Sequence, residues 1–282
     1  MTNTIDIRRE GRLAYDEYDC TPPWTQPATV VLVHGFTKNR RFFYDWIPEL
    51  AKSYRVICVD QRGHGDSSAL PANFTMAIRD FSDDLADFAN KLGLVHAHYV
   101  MAEFTSCIAL DFAVAYPELI GSLVLPGVVF KPSAGVDWEG WAKIVDAQGS
   151  QAWARATNDH RLPADVDPAK REWYVTQQGR FPSGPLAAFF RWTCTQDFSG
   201  NFARIQAPTL LMTGQHARVQ PVPEVLAAAA TMPRAVVKVF EGMPLNVMSA
   251  APHDCVRETL RFLEAVDKPD PYARVRAAAV RQ

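Results

Sequence analysis

At 282 residues the chain is long for one compact domain but ordinary for a single sheet carrying an inserted segment. Hydrophobic residues make up 48% and charged residues 21%, the proportions of a globular protein with ample apolar mass for a core. Lys and Arg number 29 against 31 Asp and Glu, so no field of one sign favours nucleic acid or an anionic membrane as partner.

In chain order, Ile5–Arg9 and Arg12–Tyr18 read as two opening strands joined by a Glu10-Gly11 turn. After the proline-rich stretch Thr21–Pro27 comes Thr29–Val33, a continuous apolar run that suits a strand buried on both faces of a parallel sheet. Arg55–Val59, His98–Met101, Ser122–Leu125, Thr209–Met212 and Val236–Phe240 read the same way. Between them, apolar residues three and four apart predict helices over Arg40–Leu50, Met76–Leu92, Ser106–Tyr116, Val222–Thr231 and Ala251–Val266. Alternating strand and helix imply a doubly wound, mostly parallel α/β sheet with right-handed crossovers. The alternation breaks between Phe130 and Ile205, a stretch rich in tryptophan and other aromatics that reads as a helical cap over the sheet. The expected organisation is a core of residues 1–129 and 206–282 with a cap at 130–205. Pro269–Gln282 stays unassigned, as a frayed helix or a packing arm.

The cysteines, Cys20, Cys58, Cys107, Cys194 and Cys255, are widely spaced, odd in number and form no CxxC pair. They indicate reduced thiols and no disulfide or zinc framework. Charges in the first ten residues stand where a signal peptide needs its apolar stretch. No apolar run approaches the roughly 20 residues of a membrane span. The expectation is a cytoplasmic protein, monomeric or homodimeric, with no membrane or nucleic-acid partner, no metal and no cofactor.

Three segments carry a family signature. Leu32-Val33-His34-Gly35-Phe36 closes an early strand, and Val59-Asp60-Gln61-Arg62-Gly63-His64-Gly65-Asp66-Ser67 matches D-x-R-G-x-G-x-S after the next one. Ile108–Ala113 followed by Tyr116-Pro117-Glu118 forms a helix and the turn that ends it. Together they resemble the α/β-hydrolase family over Thr29–Leu125 and Pro208–Leu263, in the manner of its enol-lactonases and ring-cleavage hydrolases. The resemblance implies an α/β-hydrolase fold, a small-molecule substrate, and an oxyanion hole built from the backbone N–H groups of Phe36 and Phe104. Arg62, His64 and Asp66 are expected to brace their loop, since fold signatures do not report chemistry.

The same resemblance places a Ser-His-acid triad where this sequence has none. The elbow G-x-S-x-G needs glycines because side chains there collide in a strained strand-to-helix turn. The corresponding pentapeptide is Met101-Ala102-Glu103-Phe104-Thr105, with Glu103 at the serine position. Shifting the frame to Ser106 finds no glycine and puts that serine inside the helix. The histidine position holds Leu245, and the acid position after Thr209–Gly214 holds Ala217. An aspartate at the elbow of related dehalogenases and epoxide hydrolases forms an alkyl ester that a His-activated water cleaves. With Leu245 in place of the base, that covalent route would stall after one turnover.

Glu103 is therefore the candidate catalytic residue, as a general acid or base. Candidate substrate contacts are His34, Trp138, Trp192, Arg218 and Asn246. Lys38, Arg40, Arg41 and Arg218 are placed at the cleft mouth, with His216 and His253 as weaker candidates. The expected function is an enzyme acting on a small carbonyl, ester or lactone compound. The alternatives are a non-catalytic protein holding a small apolar ligand and, third, a cofactor-independent lyase or oxygenase. With Glu103 alone in a partly apolar cleft, Glu103→Gln is expected to leave stability near wild type or raise it.

Overall fold

The computed structural model describes residues 2–8, 11–70 and 75–268. Arg9 at the end of the first predicted strand, Glu10 of the turn after it, and the tail from Pro269 lie outside them. Among the described residues eight strands form one sheet in the order β1-β2-β4-β3-β5-β6-β7-β8. The strands are β1 (Asn3–Ile7), β2 (Gly11–Tyr18), β3 (Thr29–Val33), β4 (Arg55–Val59), β5 (Ala97–Met101), β6 (Ile120–Pro126), β7 (Thr209–Gly214) and β8 (Ala235–Phe240). β1 and β2 pair antiparallel, as do β2 and β4; every later pairing is parallel.

The continuous apolar runs form strands because both faces of the sheet are covered, so neither parity of side chain meets water. Val31, Val33, Ile57, Val59, Tyr99 and Met101 face one layer, built on α2 (Ile78–Lys91), α3 (Thr105–Ala115) and α7 (Val222–Ala229). Val30, Leu32, Val56, Cys58, Val100 and Met212 face the other. That layer is built on α1 (Ile47–Leu50), α8 (Val247–Ala250) and α9 (Pro252–Asp267). The sheet is thus doubly wound, as the strand–helix alternation predicts.

One predicted helix is not continuous. Arg40–Leu50 divides into a 3₁₀ turn, Arg40–Phe43, and the four-residue α1. Two causes act together. The Asn39 side chain accepts from the Arg41 amide, starting the turn, and Pro48 lies in the first turn of α1. Its ring would clash with the carbonyl four residues back in a continuous helix, but it fits where a new helix begins.

Between β6 and β7 lie α4 (Trp138–Ala156), α5 (Pro168–Gly179) and α6 (Ser183–Thr193). Gly149, at φ 85°, kinks α4. Trp138, Trp153, Phe189 and Phe190 join Leu245 and Ala217 of the sheet-edge loops in a third apolar cluster. Polar ties add to it: Gln178 Nε2 donates to Thr37 Oγ1 at 2.9 Å, and Lys170 pairs with Asp45 at 3.2 Å.

Strand order sets where a site is placed. The chain leaves β3 toward β4 on one side, then crosses past β3 to β5 on the other. At such a reversal the loops after β3 and β5 diverge, leaving a crevice at the carboxyl ends of the two strands. Phe36 follows β3 and Glu103 follows β5, so both stand at that crevice.

Candidate active site

The loop after β3 is held by two neutral imidazoles. His34 Nε2 accepts from the Gln61 amide at 3.1 Å while its Nδ1 faces the Gly35 carbonyl at 2.9 Å. A ring that accepts through Nε2 carries its proton on Nδ1 and donates it to Gly35. Burial pushes the His34 pKa down to about 4. His64 repeats the pattern one loop on: it accepts from the Thr37 amide at 3.3 Å and its Nδ1 faces the Arg62 carbonyl at 3.0 Å. Burial, followed by repulsion from His34, pushes its pKa down to about 3. Arg62 grips Asp84 through Nε and Nη2 at 2.6 and 2.7 Å. Asp60 accepts from the Arg40 amide at 2.7 Å, from the Asp66 amide at 3.0 Å and from the Arg40 guanidinium. These side chains join the β3 and β4 loops to each other.

Glu103 stands on the turn between β5 and α3 with φ at 57°, a left-handed conformation that costs a non-glycine residue of order 1–3 kcal/mol. The turn is pinned at both ends: its amide donates to the Pro126 carbonyl, and its carbonyl accepts from the Ser106 amide, each at 2.9 Å. Glycines make room for the side chain. A Cβ on Gly35 would lie 2.5 Å from Glu103 Oε2, and one on Gly127 would lie 3.3 Å from Glu103 Cγ. Space that an elbow takes from its own flanking glycines is supplied here by the facing loops.

The Glu103 carboxylate is ion-paired with the ammonium of Lys38, whose side chain is wholly buried. Lys38 Nζ also sits over the rings of Tyr174 and Phe42, 5.0 and 5.3 Å from their centroids. Desolvation outweighs the attraction of Glu103 and brings the Lys38 pKa down to about 8. The pair fixes the carboxylate against the β3 loop.

Above it lies a narrow cavity of about 60 Å³ between sheet and helices. Phe36, Phe104, Trp138, Phe189 and Leu245 give it apolar walls, while Glu103, Thr37, Gln178, His160 and Arg161 bring polar groups to it. Phe36 stacks on Phe189, centroids 3.7 Å apart, joining the β3 loop to α6.

The structure brings together Glu103, Phe36, Phe104 and Trp138. His34 does not line the cavity; its burial and both ring hydrogen bonds assign it to the loop brace. Trp192 stacks behind Phe189 and packs against Phe198, since its helical position points it at the core under α6. Arg218, His216 and His253 are exposed. Asn246 is fully buried outside the cavity lining, and neither side-chain amide atom has a hydrogen-bond partner. Two cations expected at the cleft mouth are inside the protein. Lys38 holds Glu103, and Arg40 pairs with Asp16, Asp60 and Asp66. In each case a carboxylate distant in sequence draws the cation inward. Arg41 lines a separate groove beside Arg40.

Sequence reasoning missed Thr37, His160, Arg161 and Gln178. The last three come from the insertion, where no motif marks them. Ser106 is fully buried in α3, and Ala217 and Leu245 are buried apolar contacts. Among the described residues no group of three His, Cys, Asp or Glu side chains is placed to hold a metal ion. No described helix is long and apolar enough to cross a membrane.

Known proteins share this architecture. Bifunctional epoxide hydrolase 2 of Sus scrofa is 32% identical over 108 residues, which are 37% of this chain and 19% of that protein. Epoxide hydrolase B of Mycobacterium tuberculosis is 30% identical over 158 residues, 55% of this chain and 40% of that protein. The chain thus spans less than half the length of both relatives. The crystal structure of the enol-lactonase from Burkholderia xenovorans LB400 superposes with a TM-score of 0.83, covering 93% of this chain and 100% of that one. At 16% identity this likeness concerns the fold alone. The family model described as alpha/beta hydrolase fold matches residues 28–233, and with it the chain belongs to the α/β-hydrolase family.

Proposed function

We propose that this chain is an enzyme acting on a small carbonyl, ester or lactone compound, with Glu103 as its acid–base group where a serine triad stands in related folds. The observation that carries this reading is the Glu103 carboxylate itself. It is held in a left-handed turn at the β5–α3 elbow, facing an aromatic cavity. Structural carboxylates are seldom kept in strained backbone at a topological switch point, where sites of this architecture concentrate. Ala217 and Leu245 at the acid and histidine positions argue against a covalent ester route, because no histidine stands where that route needs its base.

In this mechanism Glu103 takes a proton from a water attacking an ester or lactone carbonyl, or from the carbon beside a carbonyl. The Phe36 and Phe104 amides stabilise the resulting oxyanion, and Glu103 returns the proton to the leaving oxygen or carbon. Lys38 has two opposed effects. It fixes the orientation of the Glu103 carboxylate through its hydrogen bond, and it occupies an oxygen that the reacting water or carbon acid would otherwise meet.

The helical segment 130–205 acts as a cap, supplying most of the cavity roof. A second reading, a small-ligand-binding protein without turnover, is favoured by the same Lys38 tie, which satisfies Glu103 without any chemistry.

The test measures hydrolysis of small acetate esters and lactones, and exchange of protons beside the carbonyl of small ketones in D₂O by NMR. Glu103→Gln should lower the active reaction by about 10²–10⁴-fold. Full activity in that variant refutes the carboxylate mechanism. Ligand binding without turnover across the panel selects the second reading.

A further inference from the structure

Arg161 follows a 3₁₀ turn, Asn158–His160, and is carried from the helical insertion into the cavity wall. The residue is 7% exposed. Nη2 donates to the Ala154 carbonyl at 2.9 Å and to Thr157 Oγ1 at 2.6 Å, both within its own segment. The guanidinium lies over the Trp153 ring, 4.4 Å from its centroid. Nε is sealed from solvent without a hydrogen-bond partner. Among the described residues no carboxylate forms an ion pair with Arg161.

That condition is unusual, because a buried guanidinium is ordinarily matched by an anion or a ring of acceptors. Every other buried arginine described here has such a match: Arg40 with Asp16, Asp60 and Asp66, and Arg62 with Asp84. The charges around the cavity do not cancel either. Glu103 is balanced by Lys38, and His160 is kept toward its neutral form by burial and by the nearby Arg218 and Arg161. Tyr174 is held neutral, its pKa raised by burial and by Glu103. Glu103 also attracts Arg161, but it is already paired with Lys38, so Lys38 and Arg161 share one anion and a positive charge is left in excess. Beside it, Gln178 Oε1, Trp153 Nε1 and Trp138 Nε1 are buried without protein partners, although all three residues line the cavity.

We infer that the ligand of this cavity is a small carboxylate bearing a single negative charge, bound by Arg161. The inference rests on the reading of this cavity as the working site and names the class of compound it takes. The Arg161 Nε–H, left without a partner, can donate a charge-assisted hydrogen bond to one oxygen of a carboxylate. The partnerless indole N–H groups are further donors suited to an anion. At about 60 Å³ the cavity is smaller than the ~150 Å³ that admits benzene, which limits the compound to a few heavy atoms. Glu103, itself an anion, excludes a second negative charge at the cavity floor.

The test compares acetate with acetamide, which share size and shape and differ in charge. Binding to the intact protein is followed by tryptophan fluorescence, since Trp138, Trp141 and Trp153 line the cavity, and by titration calorimetry. Acetate should bind about tenfold or more tightly than acetamide. Arg161→Gln should remove the preference; Arg161→Lys, which keeps the charge on a shape close to native, should retain part of it and guards against loss of fold. Glu103→Gln should keep or increase the preference for acetate even if it abolishes turnover, so failure of the catalytic reading and failure of this one are separable. Equal affinities in the wild type, no binding of either compound by both methods, or a preference undiminished in a folded Arg161→Gln would each overturn the inference.

Discussion

Glu103→Gln tests the buried pair through stability as well as through turnover. The side chain keeps its length and a hydrogen bond to Lys38 but loses the charge. Lys38 is wholly buried, and its pKa falls from 10.5 to about 8 with Glu103 opposite. A buried lysine without a counter-ion falls further, to about 6. The pKa of Lys38 is lowered on folding, so the unfolded chain binds its proton more tightly and folding is penalised wherever the two states differ in protonation. At pH 7 the penalty is about 3 kcal/mol with the pair and about 5 kcal/mol without it, at 1.36 kcal/mol for each tenfold change. The variant should therefore be less stable by about 1–2 kcal/mol at pH 7, by about 2 kcal/mol at pH 6, and by nearly nothing at pH 9, where Lys38 is neutral in both folded proteins. Arg161 also repels Lys38 and is common to both proteins, so it drops out of the comparison. Urea denaturation of the two proteins at the three pH values reads these differences directly. A gap that stays constant from pH 6 to 9, or a variant more stable than wild type at pH 7, would refute the ion pair. This reverses what the sequence alone suggests, that losing the charge is neutral or stabilising; Lys38 is the reason.

Gly127→Ala should destabilise by about 1–3 kcal/mol and disturb Glu103, because φ is +71° and the new Cβ would lie 2.7 Å from the Leu245 carbonyl oxygen; an unchanged melting temperature contradicts this. Arg40→Met should cost about 3–5 kcal/mol in chemical denaturation, since the fully buried Asp60 loses its main counter-ion, and a loss within experimental scatter would show that Asp60 is held by the loop amides alone. Serine-directed phosphonates should leave no label detectable by mass spectrometry, because Ser106 is fully buried inside α3; stoichiometric labelling of Ser106 would place the elbow in the wrong frame.

The sequence by itself determined the sheet and the place of its crevice. Runs such as Thr29–Val33 and Arg55–Val59 are apolar at every parity, and only a strand covered on both faces uses such a run fully. The Asp60–Ser67 loop was legible because positive φ at Gly63 and Gly65 leaves few residues able to stand there. Glu103 was legible as an elbow residue from its spacing to Ile108 and Tyr116. Its charge partner was not. Lys38 lies 65 positions away, and nothing in a local pattern separates a lysine that solvates itself from one drawn inward by a carboxylate. Arg40–Leu50 has helical spacing, yet Asn39, Asp60 and Pro48 cut it into two short turns, because a buried salt bridge and a missing amide outweigh weak helical propensity. Arg161 was the least legible of all. In sequence it is one arginine in an aromatic insertion, and its lack of a counter-ion is a property of everything packed around it. Local chemistry sets which elements form, whereas the balance of buried charge is decided only when distant segments share one low-dielectric space.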